Sequence, residues 1–138
     1  MQRELGHTGL SVKAIGLGAM PLSIDGRPSE AQALAVIEAF VAGGGDFIDT
    51  ANVYCLDDDD IGHNERLIQQ ALRGIGATEQ VIVATKGELR RPGGAWVVDG
   101  NPDWLRLSCE RSLRALQTDC ITLYQLHTVS DSRSLLLI

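Results

Sequence analysis

The sequence predicts an α/β fold in which a parallel sheet alternates with helices. Apolar strand-like runs and helical periods follow one another three times before a fourth strand. The strand ends at Gly18, Asp49, Lys86 and His127 lie 31, 37 and 41 residues apart. A (β/α)8 barrel of about 250 residues allots roughly 31 residues to each unit. Polar residues at three successive strand ends favour that barrel over a doubly wound sheet, which alternation alone leaves open.

The chain divides into three stretches of one domain, residues 1–138. Short extended segments flank Gly6-His7-Thr8-Gly9, where glycines permit a tight reversal, so residues 1–13 are expected to form a β-hairpin. Residues 14–127 then hold the first four barrel strands and three helices. Residues 128–138 form an atypical tail that ends in an apolar tetrapeptide.

Start signals place the three helices. Ser29 and Gln32 have the spacing of a capping box, in which two side chains satisfy free amides at a helix start. Asn64 and Glu65 are expected to open the second helix, and Asn101-Pro102-Asp103 the third. An apolar stripe at helical spacing marks the core face of the second helix, comprising Leu67, Ile68, Ala71 and Leu72.

Side-chain alternation along the strands predicts one shared rim. Residues two apart on a strand point to the same face, which groups Asp49, Lys86 and His127 at the ends of three strands. Tyr54 lies five residues past Asp49 and can fold back over the same mouth. The run Val81–Thr85 is nearly all apolar and β-branched, as expected of a parallel strand buried on both faces.

Composition limits the function classes. A net charge of −6 with no basic stripe argues against nucleic-acid binding. Three cysteines without CxxC spacing suggest neither disulfides nor a thiolate metal site, and they fit a reducing, cytoplasmic setting. No apolar run approaches the roughly 18 residues of a membrane helix. The acidic run Asp57–Asp60 lacks the spacing of a calcium loop, so no metal site is predicted.

The four polar residues suggest proton transfer. A lysine ammonium beside a phenol stabilises the phenolate, and a carboxylate keeps that lysine charged. Such a group can protonate an oxygen that gains negative charge, as happens when hydride adds to a ketone or aldehyde. A second reading makes Lys86 a Schiff-base nucleophile in an aldolase-like barrel. It is disfavoured because Asp49 and Tyr54 would keep the amine charged.

Six motifs together resemble one known family. The chain is similar to the N-terminal half of an aldo-keto reductase over roughly residues 1–127. The motifs stand in family order at family-like spacing, and they are Leu5-Gly6-His7-Thr8-Gly9-Leu10, Gly16-Leu17-Gly18-Ala19-Met20, Phe47-Ile48-Asp49-Thr50-Ala51-Asn52-Val53-Tyr54, Gly62-His63-Asn64-Glu65, Ala84-Thr85-Lys86 and Leu123-Tyr124-Gln125-Leu126-His127.

The resemblance implies a (β/α)8 barrel that uses NADPH and a small carbonyl substrate. It makes Tyr54 the general acid, with Lys86 and Asp49 tuning it and His127 positioning the carbonyl. It also places the nicotinamide near Ala19, Met20 and Asp49.

Two departures from the family pattern shape the expectation for the isolated chain. Thr122 stands where the family often has an acid, and the tail lacks the usual continuation. The chain is therefore predicted to be a truncated half-barrel with two open sheet edges and an apolar inner face. An alternative is a non-catalytic half-barrel that associates with itself or with another chain through those edges.

Overall fold

A computed structural model describes residues 1–128 of the chain. The predicted N-terminal hairpin is present, with β1 (Gln2–Glu4) antiparallel to β2 (Ser11–Lys13). The Leu5 amide donates to the Leu10 carbonyl oxygen at 2.8 Å and closes the turn. The Lys13 amide donates to Asp46 Oδ1 at 2.7 Å, which fastens the hairpin to the start of the second sheet strand.

Four parallel strands form the main sheet, and their spatial order follows the chain. They are β3 (Leu17–Gly18), β4 (Phe47–Asp49), β5 (Ile82–Gly87) and, after a short ribbon of β6 (Leu89–Arg90) and β7 (Val97–Val98), β8 (Leu123–Leu126). Each strand is therefore added beside the preceding one, as in a barrel, whereas a doubly wound sheet reverses its strand order. The predicted four-strand arrangement is confirmed.

Two details of the strands differ from expectation. The first sheet strand has only two residues, although the apolar run Ala14-Ile15-Gly16-Leu17-Gly18 suggests a longer one, and Ile15 is 78% exposed outside the sheet. The β6–β7 ribbon was not predicted, because Pro92-Gly93-Gly94 gives that stretch the composition of a loop. Each ribbon strand has two residues, which is too short for an alternating pattern to be visible.

Three α-helices connect the sheet strands, namely α1 (Glu30–Ala42), α2 (His63–Gly74) and α3 (Pro102–Leu116). Both halves of the predicted capping box form at Ser29. The Asn101 side chain accepts the Asp103 amide at 2.8 Å and caps α3. None of these helices has both the length and the hydropathy to cross a membrane.

The start of α2 corrects the sequence prediction. Its N-cap is Gly62, whose φ of 81° is left-handed and suits glycine, and the helix begins at His63. Asn64 and Glu65 therefore lie inside the first turn and are fully buried. The spacing explains this placement, since Asn64 is four and seven residues before Ile68 and Ala71, on the apolar stripe.

The main core lies between the sheet and the helices. Ile37, Ile48 and Ile68 have no exposed surface there, and they meet in one apolar cluster with Leu72. Alternation turns the neighbours of Ile48 to the opposite side of the sheet, which would be the inside of a barrel. The site residues lie on that opposite side.

Candidate active site

The Lys86 ammonium is the centre of the site. It donates to Asp49 Oδ2 at 2.6 Å, to the Thr50 carbonyl oxygen at 2.7 Å and to the Tyr54 hydroxyl at 3.1 Å. The side chain is 13% exposed and that of Asp49 is 34% exposed, so the ion pair is partly shielded from water. Three oxygen acceptors match the three N–H donors of an ammonium group.

Sheet register brings the ion pair together. Asp49 pairs with Ala84 across β4 and β5, so Lys86 lies two residues further along β5 on the same face. The two side chains therefore reach the same rim from adjacent strands. The structure brings these two predicted residues into direct contact.

Tyr54 is held rigidly although it lies in a loop. Its side chain is 6% exposed and packs in a small apolar cluster with Ala51, Val53 and Leu89. Its amide donates to the Ala51 carbonyl oxygen at 3.1 Å. The hydroxyl is thus held toward the Lys86 ammonium with little rotational freedom.

His127 completes the group at the end of the fourth sheet strand. Its ring meets the Tyr54 ring edge-on, with centroids 5.6 Å apart and planes at 80°. Burial, reinforced by the charge of Lys86, lowers the pKa of His127 below its ordinary value. The ring is accordingly neutral at neutral pH and offers one N–H donor.

The segment just after Lys86 fixes the backbone on both sides of His127. The His127 amide donates to the Gly87 carbonyl oxygen at 3.1 Å, and the Thr128 amide donates to Glu88 Oε2 at 2.6 Å. Glu88 has a φ of 98°, which is rare for a residue with a side chain. Strain of this kind is commonly retained at functional sites. Sequence analysis missed Glu88, and no sequence pattern marks it.

Position 87 needs a glycine because the Tyr124 side chain lies very close to its backbone. A Cβ atom at this position would collide with the Tyr124 hydroxyl on the helix-facing side of the sheet. The glycine therefore lets β5 and β8 pair closely beside Lys86.

Asn64 links the loops that follow two strands. Its amide nitrogen donates to the Ala19 carbonyl oxygen at 2.8 Å and to Ser23 Oγ at 2.7 Å, both beyond β3. Its side-chain oxygen accepts the Thr50 hydroxyl at 2.5 Å, just beyond β4. Sequence analysis saw Asn64 only as a helix start. Its position on the apolar stripe of α2 was the available signal, because a polar residue on a core face needs buried partners.

Glu65 makes a comparable link to β5. Its Oε1 accepts the Thr85 hydroxyl at 2.6 Å, and both residues are fully buried. Burial raises the pKa of Glu65 above its ordinary value. The first turn of α2 thus holds the loops after β3 and β4, and also β5, through two adjacent side chains.

The residues predicted to face the nicotinamide differ in exposure. Ala19 has no exposed surface, and its amide donates to the Asp49 carbonyl oxygen at 2.9 Å. Met20, in the short 3-10 turn Met20–Leu22, is 39% exposed. Met20 and the partly exposed Asp49 carboxylate thus leave accessible surface at one end of the site. Cofactor contact by these residues stays a prediction.

An ion pair and a hydrogen bond hold the acidic run Asp57–Asp60 against other parts of the chain. Asp60 Oδ2 forms an ion pair with Arg27 Nη1 at 2.6 Å, and Asp58 Oδ1 accepts the Arg91 amide at 3.0 Å. Among residues 1–128, no three His, Cys, Asp or Glu side chains gather as metal ligands would. The cysteines Cys55, Cys109 and Cys120 are all free thiols.

Comparison with known proteins defines the class. The model of the aldo/keto reductase family matches residues 14–136. An aldo-keto reductase-type protein of Pseudomonas aeruginosa aligns with a TM-score of 0.83 at 30% identity, covering 99% of this chain and 50% of its own. The aldo-keto reductase of Bacillus halodurans, in its holo form, aligns with a TM-score of 0.76 at 33% identity, covering 96% of this chain and 42% of its own.

The chain belongs to the aldo/keto reductase family. It spans about half the length of the solved structures that it matches. The sheet of four parallel strands with three helices accordingly corresponds to half of a (β/α)8 barrel, which confirms the predicted fold class.

Proposed function

We propose that this chain carries the proton-donating half of an NADPH-dependent reductase that converts aldehydes and ketones to alcohols. The observation that supports the proposal is the row of Tyr54, Lys86 and Asp49, in which the ammonium lies 3.1 Å from the phenol oxygen and 2.6 Å from the carboxylate. Family membership supports the same reaction class.

The row supplies a proton where the reaction needs one. When bound, NADPH supplies the hydride that reduces the carbonyl carbon. Tyr54 donates its hydroxyl proton to the oxygen that becomes negatively charged. The Lys86 ammonium stabilises the phenolate that remains, and Asp49 keeps the ammonium charged.

His127 is proposed to position the substrate. A neutral imidazole beside the Tyr54 ring can donate one hydrogen bond to the carbonyl oxygen and hold it within reach of the phenol. The lowered pKa of His127 supports this role, because it keeps the ring in the neutral form.

The chain offers only a small exposed surface beside the candidate site for contact with the cofactor. The exposed Met20 side chain and the Asp49 carboxylate border the site, and they suit contact with a nicotinamide ring and its ribose hydroxyls. Because the matched structures are about twice as long, we expect the isolated chain to bind NADPH only weakly. The proposed setting is the cytoplasm, to which the free thiols are suited.

The two tyrosines of the chain provide a matched test. NADPH oxidation is followed with an aldehyde substrate for the unaltered chain, Tyr54→Phe and Tyr124→Phe. Tyr124 lies on the helix-facing side of the sheet and serves as the control. Removing the acid should lower turnover by about 10²–10⁴-fold. Tyr124→Phe should retain most of the activity, whereas equal losses in both variants would reject the role of Tyr54.

A second candidate is a non-catalytic half-barrel that associates through its open face. Phe47, Ile82 and Leu123 lie on the inner side of the sheet, and each is only partly buried by residues 1–128. Exposed apolar surface beside unpaired strand edges favours association. Absence of both turnover and NADPH binding, together with a concentration-dependent sedimentation coefficient, would favour this candidate. A monomer that binds NADPH with sub-micromolar affinity would exclude it.

The Schiff-base alternative is not supported. A nucleophilic lysine must lose its proton, and the Asp49 carboxylate at 2.6 Å stabilises the charged form of Lys86. Borohydride trapping with a carbonyl compound should therefore give no adduct at Lys86.

A further inference from the structure

We propose that Asn64, which does not touch the reacting groups, is a positioning residue for the Lys86 ammonium and acts through Thr50. The proposal deepens the reductase function and rests on it for the importance of Lys86. Three steps connect the residues: Asn64 holds the Thr50 hydroxyl, Thr50 is thereby fixed, and its carbonyl oxygen holds Lys86.

The first step is a buried side-chain hydrogen bond. The Thr50 hydroxyl donates to Asn64 Oδ1 at 2.5 Å, and neither residue has any exposed surface. The Asn64 amide nitrogen is held by Ala19 and Ser23, at 2.8 and 2.7 Å, so the side chain cannot rotate freely. A buried network with these partners satisfied is rigid.

The second step concerns the backbone of Thr50. This residue lies just beyond the end of β4, where the sheet ladder stops. Its amide donates to the Ala84 carbonyl oxygen at 2.8 Å, but its own carbonyl oxygen accepts the Lys86 ammonium at 2.7 Å. The orientation of this carbonyl group therefore depends on the side-chain anchor more than it would inside a strand.

Thr85 offers a matched contrast. It is equally buried and also donates to the first turn of α2, at 2.6 Å to Glu65 Oε1. However, Thr85 lies within β5 and pairs there with Tyr124 of β8, and this pairing fixes its backbone. Loss of its hydroxyl should leave Lys86 in place, whereas loss of the Thr50 hydroxyl should not.

The test measures Lys86 directly and uses no cofactor. The chain has two lysines, Lys13 and Lys86, and Lys13 is exposed. In ¹⁵N-lysine-labelled protein, the Lys86 ammonium protons should exchange slowly with water because all three are hydrogen-bonded. The variants are Thr50→Val, Thr50→Ser, Thr85→Val and Asn64→Ala, with Lys86→Met to assign the signal.

We expect Thr50→Val to speed Lys86 proton exchange by about tenfold, equivalent to about 1.4 kcal/mol. Thr50→Ser keeps the hydroxyl and should restore slow exchange, and Thr85→Val should leave it slow. Asn64→Ala removes the same hydrogen bond to Thr50, together with those to Ala19 and Ser23, so it should speed exchange at least as much as Thr50→Val. Adding Thr50→Val to Asn64→Ala should speed exchange little further, because the shared hydrogen bond is already absent. If Asn64→Ala does not fold, Thr50→Val and Thr50→Ser still test whether the Thr50 hydroxyl positions Lys86.

Two outcomes would overturn the proposal. One is unchanged Lys86 exchange in Thr50→Val, and the other is equal acceleration in Thr50→Val and Thr85→Val, which would indicate a general loosening of the fold. Failure of the reductase proposal would be seen separately, as absent turnover and absent NADPH binding in a chain whose Lys86 protons still respond as expected.

Discussion

The two faces of the four-stranded sheet differ in how completely this chain covers them. On the helix-facing side, Ile37, Ile48 and Ile68 have no exposed surface. On the inner side, Ile82 and Leu123 remain partly exposed within residues 1–128. The helix-facing side therefore holds the most deeply buried apolar residues of this half-barrel, while the inner side carries the groups of the candidate site.

The polar groups on the two faces also differ in how deeply they are buried. On the helix-facing side, Asn64 and Glu65 are fully buried with threonine partners. On the inner side, the Asp49 carboxylate is 34% exposed and meets a charged partner. A buried polar network favours a single arrangement of the strand ends, whereas a partly exposed ion pair stays accessible from solvent. The deepest burial therefore lies on one face and the candidate site on the other.

The largest expected effect is a difference in unfolding free energy between matched substitutions on the two faces of the sheet. Ile48→Ala and Ile82→Ala make the same deletion on adjacent strands, on opposite faces of the sheet. At the fully buried Ile48 the loss should be about 2–5 kcal/mol of unfolding free energy. The partly exposed Ile82 should lose clearly less, because its atoms are already in part hydrated. Urea unfolding followed by circular dichroism measures both variants.

Equal losses of unfolding free energy in Ile48→Ala and Ile82→Ala would contradict the difference between the two faces. They would mean that the inner face is covered in solution, and repeating the unfolding at several protein concentrations would test for association. A midpoint for Ile82→Ala that falls on dilution would identify a second copy as the cover.

A smaller effect is expected from the buried carboxyl group of the helix-facing side. The raised pKa of Glu65 means that the folded state binds this proton more tightly than the unfolded state. Its contribution to stability is complete below the unfolded value, near 4.5, and is lost as pH rises through the raised folded value. Glu65→Gln mimics the protonated form and keeps an acceptor for Thr85. It should therefore be more stable than the unaltered chain at pH 7, by about 1–3 kcal/mol.

The difference between Glu65→Gln and the unaltered chain should disappear toward acid pH. Unfolding curves at a series of pH values measure it. A difference that stays constant with pH would show that Glu65 is not the titrating group.

The sequence predicted the elements that repeat and the residues that end strands. Parallel strands place their carboxyl ends at one edge, so Asp49 and Lys86 could be expected to meet without a structure. The strand order and the hairpin were also predicted, because periodicity and turn residues encode them locally.

What the sequence did not predict depends on contacts between distant residues. The Thr50 carbonyl oxygen is a backbone group, and no residue type signals its role at Lys86. Asn64 was read as a helix start because Asn favours that position. Its place on the apolar stripe of α2 indicates burial, but only the packed structure shows which groups its side chain binds. The left-handed backbone of Glu88 likewise has no signature in its residue type.

The smallest expected effect tests whether a helix on the outer side of the sheet can be destabilised without a change in the geometry at Lys86. Ser29→Ala removes the half of the α1 capping box in which the Gln32 amide donates to Ser29 Oγ at 3.4 Å. Unfolding free energy should fall by about 1 kcal/mol, and Ser29→Thr should recover most of it. Lys86 proton exchange should stay as slow as in the unaltered chain, because the hydrogen bonds of the cap join Ser29 to Gln32 and do not involve Thr50 or Asn64. Faster exchange in Ser29→Ala would instead mean that the Lys86 protons exchange through global unfolding, and the division between the two faces would then fail.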